Sequence, residues 1–306
     1  MRILVVGAGA TGGYFGARLH EAGRDVTFLV RPRRAELLRA RGLRIEGLGR
    51  STVVTPTLVT AAELDGPYDL VLLSVKATAL SAALDDVSAA VGPETSVVPF
   101  LNGLAHIDAL NRRFGEERVL GGVCRVITTV GPDGDILQLA PVADIVVGEQ
   151  RGGLSDRVRA IEAELTGAGF DVSTSPDIRT AMWHKWVFIS TLAAMNTLVR
   201  GTVGDAVAVP GGDRLGPALA AEAAAVAGAA GHPVPSATLA TVENFMTRPG
   251  SADTASLYRD LAAGLPTEAE QILGDLTARA AALGVPTPLL DVATVSLRVH
   301  ERRLTA

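Results

Sequence analysis

The first thirty residues carry the pattern that most narrows the choice of fold. Ile3 to Val6 is an apolar run typical of a strand, and six residues of the form GxGxxG follow it at once. A helical pattern from Gly12 to Ala22 and a second apolar run from Val26 to Val30 complete a strand–helix–strand unit. Glycines at these positions allow a tight turn and a close approach of the backbone to a pyrophosphate at the helix N-terminus. The pattern therefore predicts a dinucleotide-binding loop made of Gly7, Ala8, Gly9, Ala10, Thr11 and Gly12.

The end of the second strand bears on which dinucleotide binds. NAD sites usually place an acidic side chain there, which holds the ribose 2′-hydroxyl. This chain instead has Arg31, Arg33 and Arg34 at that point and no acid. Because cationic side chains suit the 2′-phosphate of NADP, we expect NADP(H) as the cofactor, with Arg31 in contact with it. The alternative is that these arginines are solvated surface charges.

The rest of the first half alternates short apolar runs with helical patterns. Apolar strands are predicted at Leu70–Val75 and Ser96–Phe100, with a helix from Ala79 to Val91 between them. This order favours a parallel, doubly wound sheet that is buried on both faces. Further strands are predicted at Leu43–Glu46, Thr52–Leu58, Val119–Val123 and Asp171–Ser173, and further helices at Ala35–Arg41, Ile107–Phe114 and Asp156–Ala168.

The pattern changes twice after this region. Residues 131–135 form a Gly-Pro-Asp-Gly-Asp turn between Arg125–Val130 and Ile136–Leu139, which predicts an antiparallel hairpin. After Pro176 only helical patterns occur. We therefore predict an α/β fold, with an N-terminal Rossmann-type doubly wound sheet in residues 1–175 and a second, all-helical C-terminal domain in residues 176–306. The predicted helices of that domain span Asp177–Leu198, Leu215–Ala229, Ala237–Phe245, Thr267–Leu283 and Leu289–Arg302.

Charge and cysteine content exclude several classes of protein. The net charge of −5 provides no basic field for nucleic acid or for an anionic membrane. The single cysteine, Cys124, rules out an internal disulfide and fits a reducing cytoplasm. No apolar run is long enough to span a bilayer, and the five histidines lack the spacing of metal ligands. We expect a cytoplasmic protein that binds neither nucleic acid, membrane nor a metal ion.

Lysine usage singles out two residues. Of the 28 lysines and arginines, only Lys76 and Lys185 are lysine. Lysine can lose its proton when its pKa is lowered, whereas arginine stays charged. Lys76 follows the apolar strand at Leu70–Val75, and Lys185 lies within Met182–Phe188, an aromatic-rich segment with a buried-helix pattern. These apolar surroundings favour functional roles over two chance positions on the surface.

Together these features resemble the ketopantoate reductase family (2-dehydropantoate 2-reductases) over nearly the whole chain. The family's GxGxxG and the arginine after its second strand match the loop from Gly7 to Gly12 and Arg31. Its strand-terminal lysine and its later Asn-Gly match Lys76 and Asn102-Gly103. Its helical half, of the 6-phosphogluconate dehydrogenase C-terminal type, has further matches. They are Trp183, Lys185, Ser256, Thr267-Glu268 and Gly284-Val285-Pro286.

The resemblance implies NADPH-dependent reduction of a 2-oxo acid, as in the conversion of 2-dehydropantoate to pantoate in pantothenate biosynthesis. Lys185 would be the general acid, which polarises the carbonyl and protonates the developing alkoxide. Glu268 would orient the substrate or the nicotinamide ribose. Lys76 and Asn102 would hold the cofactor, and Asn102 and Ser256 would contact the substrate. Helical domains of this kind often pair, so a homodimer is compatible with the resemblance, and the sequence leaves the oligomeric state open.

Three positions depart from the family pattern. Asparagines commonly stand four and eight residues after the catalytic lysine, where this chain has Ile189 and Ala193, and Val203 replaces a third. Asn196 lies eleven residues after Lys185, on roughly the same helical face, and is a candidate replacement contact to the substrate. Because losing amide partners changes which acid is accepted, the identity of the 2-oxo acid stays open.

Two other functions stay open. A related β-hydroxyacid or polyol-phosphate dehydrogenase would share the two-domain plan, but the Thr267-Glu268 block and the Trp183–Lys185 spacing favour the reductase. A non-catalytic NADP-binding redox sensor is compatible with the lost asparagines, but both lysines favour an enzyme.

Overall fold

The computed structural model describes residues 1–305 and forms two compact units. The first unit comprises residues 1–101 and 106–179, and the second comprises residues 102–105 and the chain from Thr180 onward. The first is α/β and the second is helical, so the predicted fold class is confirmed. Among residues 1–305, no helix combines the length and the apolar character needed to cross a membrane.

Ten strands lie in the first unit. They are β1 (Arg2–Val6), β2 (Asp25–Leu29), β3 (Leu43–Gly47), β4 (Arg50–Val54), β5 (Thr57–Val59), β6 (Leu70–Leu73), β7 (Ser96–Pro99), β8 (Gly121–Val130), β9 (Ile136–Gly148) and β10 (Asp171–Thr174). Five of them form a parallel sheet in the order β5-β2-β1-β6-β7. At its centre, Val5 of β1 is opposite Phe28 of β2 and Leu72 of β6. This is the doubly wound arrangement that the sequence predicts.

The predicted hairpin is confirmed, but it belongs to a second sheet. Strands β8 and β9 are antiparallel and longer than expected, and the sheet runs β10-β9-β3-β4 with β8 on the other side of β9. The strand predicted at Val119–Val123 is divided. Val119 forms a bridge with Val97 of the parallel sheet, whereas the residues from Gly121 onward belong to β8 of the second sheet. At Gly122 a Cβ atom would lie 2.4 Å from the Pro99 carbonyl oxygen, so this glycine lets β8 pass close to the end of β7.

The run predicted as one strand at Thr52–Leu58 is two strands in different sheets. β4 pairs with β3 in the second sheet, and β5 pairs with β2 in the parallel sheet. Pro56 lies between them. Because proline has no N–H and restricts the residue before it, it ends one ladder and allows the chain to change sheets.

Five helices accompany these strands: α1 (Ala10–Glu21), α2 (Pro32–Arg41), α3 (Leu80–Asp86), α4 (Ala105–Phe114) and α5 (Asp156–Leu165). Helix α1 packs closely on the parallel sheet, because a Cβ atom at Gly16 would lie 2.5 Å from the ring of Phe28. Phe15, on the same helix, is fully buried between Phe100 and Phe170. These contacts fix α1 against the parallel sheet.

The second unit contains seven helices among the described residues. They are α6 (Ile178–Val199), α7 (Val203–Val207), α8 (Leu215–Ala229), α9 (Ser236–Met246), α10 (Ser256–Ala262), α11 (Asp275–Leu283) and α12 (Pro288–Leu304). Two short helices, α7 and α10, were not expected, because five to seven residues are too few to show a helical period. The helix predicted at Thr267–Leu283 instead begins with a π-helical turn, Glu270–Gly274, that continues into α11.

Candidate active site

The loop from Gly7 to Gly12 packs tightly against the ends of β2 and β6. Gly7 has φ +95°, and its amide donates a 3.0 Å hydrogen bond to the Leu29 carbonyl. A Cβ atom at Gly12 would lie 1.9 Å from Ser74 Oγ and 2.3 Å from the Gly7 carbonyl oxygen. Ser74 Oγ in turn donates to the Val6 carbonyl at 2.9 Å. Only glycine fits at Gly7 and Gly12, so these two residues shape the turn itself.

Gly9 has a different environment. It precedes the first residue of α1, no side chain caps this helix, and the first turn of α1 contains no acidic residue. A Cβ atom at Gly9 would meet no other atom within 4 Å. The first amides of a helix lack partners within the helix and attract anions. The space outside Gly9 therefore fits the phosphates of a dinucleotide.

The three arginines after β2 take two different roles. Arg34 is half-buried, and its guanidinium donates a 2.9 Å hydrogen bond to the Ala8 carbonyl, while burial lowers its pKa. Arg34 is therefore part of the structure of the glycine loop, a role that the sequence does not reveal. Arg31 and Arg33 are exposed at the start of α2, where they can meet an anionic group.

Two further residues hold or border the loop. Thr128 Oγ1 on β8 donates to the Ala10 carbonyl at 3.1 Å, a contact that sequence reasoning misses because the two residues lie 118 positions apart. Lys76 is exposed just beyond β6, and its carbonyl begins a short helical turn by accepting the Ala79 amide at 2.9 Å. Within the first unit, the loop, Arg31 and Lys76 thus all follow strands of the parallel sheet.

In the second unit, Lys185 lies on α6 between two buried tryptophans. Trp183 is 4% exposed and Trp186 is 1% exposed, and their ring centroids are 4.9 Å apart. Lys185 itself is half-buried. Among residues 1–305, its ammonium makes no hydrogen bond or ion pair with a side chain or carbonyl.

The segment that carries Glu268 is tied to the same part of α6. The indole nitrogen of Trp186 donates a 2.8 Å hydrogen bond to the carbonyl of Ile272, in the π-helical turn. The Ile272 amide donates to the Glu268 carbonyl at 3.0 Å. The amide and the hydroxyl of Thr267 both donate to Glu301 of α12 at 2.7 Å. Glu268, which is half-buried, therefore sits on a backbone held from both sides.

The Asn102-Gly103 segment also meets the π-helical turn. Gly103 has φ +76°, and a Cβ atom there would lie 2.3 Å from the carbonyl oxygen of Gln271. Both the conformation and the space require glycine at this position. The sequence indicates an Asn-Gly turn after a strand, but not that this turn packs against residues 270–274.

The two remaining predicted substrate contacts differ from each other in their environment. Asn196 is fully buried, its amide nitrogen donates to the Gly201 carbonyl at 2.9 Å, and its oxygen accepts the Ala255 amide at 2.8 Å. With both polar ends bonded to backbone, Asn196 holds the chain just before Ser256 and does not present its amide to a ligand. Ser256 is exposed at the first residue of α10, where its hydroxyl is accessible.

No group of three His, Cys, Asp or Glu side chains within residues 1–305 is arranged to hold a metal ion. The arrangement consists instead of a phosphate-binding loop in one unit and, in the other, an amine beside a carboxylate-bearing segment. Such groups can bind a dinucleotide and protonate an oxyanion.

Two family models match the chain. The model described as ketopantoate reductase PanE/ApbA matches residues 3–152, and the corresponding C-terminal model matches residues 177–301. The matched regions together include every site residue discussed above.

Individual proteins are similar to this chain over nearly its whole length. An uncharacterized oxidoreductase, YkpB, of Bacillus subtilis strain 168 is 34% identical over 301 residues, which cover 98% of this chain and 99% of the relative. A 2-dehydropantoate 2-reductase of Mesorhizobium japonicum is 28% identical over 323 residues, covering 97% of each chain. The crystal structure of 2-dehydropantoate 2-reductase from Geobacter metallireducens GS-15 superposes with a TM-score of 0.89 at 28% identity, covering 98% of this chain and 99% of that one.

Proposed function

This chain belongs to the ketopantoate reductase family, and we propose that it uses NADPH to reduce a small 2-oxo acid to the 2-hydroxy acid. The family predicted from the sequence is thereby confirmed, and the protein is an oxidoreductase acting on CH–OH groups. The cytoplasmic location, the role in pantothenate biosynthesis and the homodimer stay predictions.

The cofactor is assigned to the domain predicted at residues 1–175. The loop from Gly7 to Gly12 receives the pyrophosphate, because Gly9 leaves space beside the N-terminus of α1. The exposed guanidinium of Arg31 contacts the 2′-phosphate, and Lys76 and Asn102 contact the rest of the dinucleotide. When bound, NADPH supplies the hydride.

Catalysis is assigned to the domain predicted at residues 176–306. Lys185 hydrogen-bonds to the carbonyl oxygen of the substrate, stabilises the negative charge that develops there, and donates its proton to the alkoxide. Glu268 orients the substrate beside this ammonium. The hydroxyl of Ser256 and the amide of Asn102 bind the substrate carboxylate and carbonyl.

The contacts of the π-helical turn, Glu270–Gly274, are the main support for this assignment. Within the second unit, the turn of α6 next to Lys185, the segment of Glu268 and the Asn102-Gly103 loop all contact the π-helical turn, Glu270–Gly274. π-Helical turns are frequent at functional sites, because the extra residue leaves backbone groups for other partners. This common attachment supports a single catalytic group made of Lys185, Glu268 and Asn102.

Steady-state oxidation of NADPH, and of NADH in parallel, against a panel of 2-oxo acids tests the proposal. We expect turnover with at least one of these acids and a preference for NADPH. Arg31→Ala should raise the KM for NADPH about tenfold or more, since a charge-assisted contact is lost, and leave the KM for NADH unchanged. Arg39→Ala, on the helix that follows Arg31, is the matched control, because Arg39 pairs with Glu63. Tight NADPH binding with no turnover would instead indicate a sensor.

A further inference from the structure

The side chains one turn before and one turn after Lys185 on its own helix are all apolar. Side chains three and four positions away on a helix share a face. The four such neighbours of Lys185 are Ala181, Met182, Phe188 and Ile189. Ala181, Phe188 and Ile189 are half-buried, whereas Met182 is buried. Any molecule beside the Lys185 ammonium therefore also meets apolar surface from α6.

The polar side chains near Lys185 on α6 already have hydrogen-bond partners within the protein. Ser190 Oγ donates to the Trp186 carbonyl and Thr191 Oγ1 to the Val187 carbonyl, both at 2.7 Å. The His184 ring nitrogen Nε2 lies 3.1 Å from the Pro233 carbonyl. Ser190 and Thr191 are also fully buried. None of these three groups is placed to receive a hydroxyl on a substrate.

Ile189 is the half-buried apolar neighbour that lies four residues after Lys185 on α6. Side chains on a helix lean toward its N-terminus, so residue 189 covers the turn that contains Lys185. The two other positions where the family commonly has asparagine are inaccessible to a ligand, since Ala193 is 1% exposed and Val203 is fully buried. Of the three departures from the family pattern, only Ile189 retains exposed surface.

From these contacts we propose that Ile189 selects 2-oxo acids whose carbon chain is hydrocarbon, branched or aromatic, and disfavours those that carry a hydroxyl on that chain. This inference rests on the proposed reductase activity and narrows its substrate class. A substrate hydroxyl placed against Ile189 loses its hydrogen bonds to water and gains none from α6. An apolar pocket discriminates against an added hydroxyl by about tenfold to a hundredfold, and that is the preference expected here.

Ketopantoate and trimethylpyruvate test this directly, because they share one carbon skeleton and differ only in a hydroxyl group. We expect kcat/KM to be higher for trimethylpyruvate by about tenfold to a hundredfold. Ile189→Asn should shift the ratio toward ketopantoate, since the amide supplies a partner for the hydroxyl. Ile189→Thr is a smaller change at this half-buried position and should shift the ratio in the same direction.

Val292→Asn is the matched control, because Val292 is 59% exposed on α12 and the same apolar-to-amide change there should leave the ratio as in the wild type. A wild-type enzyme that reduces both acids but prefers ketopantoate overturns the inference while leaving the reductase function intact. So does a ratio that neither Ile189 variant moves. Absence of turnover with every 2-oxo acid and either cofactor overturns the reductase function, and the inference with it.

Discussion

The indole nitrogen of Trp186 donates a 2.8 Å hydrogen bond to the carbonyl oxygen of Ile272. This bond joins the turn of α6 that carries Lys185 to the π-helical turn that follows Glu268. The donor and the acceptor are 86 positions apart in the sequence. A single buried bond thereby relates the positions of the two residues proposed as catalytic.

Trp186→Phe should lower kcat more than it raises KM. Phenylalanine keeps most of the buried ring but leaves the Ile272 carbonyl without its donor, which costs about 1–3 kcal/mol of stability and loosens the π-helical turn. The control is Trp183→Phe, which alters the other indole of the pair without touching the bond to Ile272. Steady-state kinetics with thermal unfolding of both variants checks this. Equal effects on kcat in the two variants would show that the bond has no positioning role.

Gly103→Ala should destabilise the protein more than Gly264→Ala. Both glycines have positive φ, +76° and +67°, so both substitutions carry the conformational penalty of about 1 kcal/mol. Only at Gly103 does the new Cβ collide with a backbone carbonyl, that of Gln271, at 2.3 Å. Overpacking adds about 1–3 kcal/mol. Urea unfolding of the two variants measures the difference, and similar midpoints would refute the close packing of Gly103 on the π-helical turn.

Gly9→Ala should weaken NADPH binding with little change in stability. Gly9 has φ −88° and open space around its missing side chain, so alanine fits the protein alone. The added methyl group would occupy the space assigned to the pyrophosphate, and we expect the Kd to rise about tenfold or more, which corresponds to 1.4 kcal/mol. Gly12→Ala is the contrasting variant, because its Cβ would collide with Ser74 and should compromise folding. Unchanged NADPH titration for Gly9→Ala would place the dinucleotide elsewhere.

Glu149 should contribute to stability in a pH-dependent way. The Arg157 guanidinium, with the Ser155 hydroxyl, holds the pKa of the Glu149 carboxyl below its ordinary value of 4.5. A lowered pKa in the folded state stabilises the fold above the unfolded-state pKa, and this contribution is lost as the pH falls through the folded-state pKa.

Glu149→Gln should therefore be less stable than the wild type at neutral pH, by about 1–2 kcal/mol, with the gap shrinking as the pH falls below 4.5. Glu116→Gln is the control, since Glu116 also pairs with an arginine, Arg151, but that partner is 82% exposed. An exposed pair contributes little. Unfolding free energies measured from neutral to acid pH check the prediction, and a gap for Glu149→Gln that does not vary with pH would contradict it.

The parts of the fold that depend on residues close to each other in the sequence could be predicted. The strand, loop and helix around Gly7 and Gly12 follow from local patterns, as does the hairpin turn at residues 131–135. The second sheet could not be predicted, because it requires pairings such as Ile45 with Ile136, which no local pattern specifies. The division of Thr52–Leu58 between two sheets could have been predicted from Pro56, because proline interrupts a strand.

The candidate site shows the same limit. Lys185 could be singled out because a lone lysine among aromatic residues is unusual. Helical spacing places Asn196 on the face of Lys185, but spacing gives only an angle around the helix and does not tell what packs there. In the structure the side-chain amide of Asn196 accepts a hydrogen bond from the Ala255 backbone N–H and donates one to the Gly201 carbonyl. The contact of Arg34 with Ala8 could not be predicted for a related reason, since three arginines within four residues look alike until the fold buries one of them.

The most direct test concerns the proton donor. Lys185→Met keeps an unbranched apolar side chain of similar length and removes the ammonium. Stopped-flow oxidation of NADPH, with the best 2-oxo acid of the panel at saturation, should show a rate lower by at least about a hundredfold. Fluorescence titration should show NADPH affinity changed by no more than about twofold, since the amine acts only on the reacting oxygen. A Lys185→Met protein that reduces the acid at the wild-type rate would contradict the account.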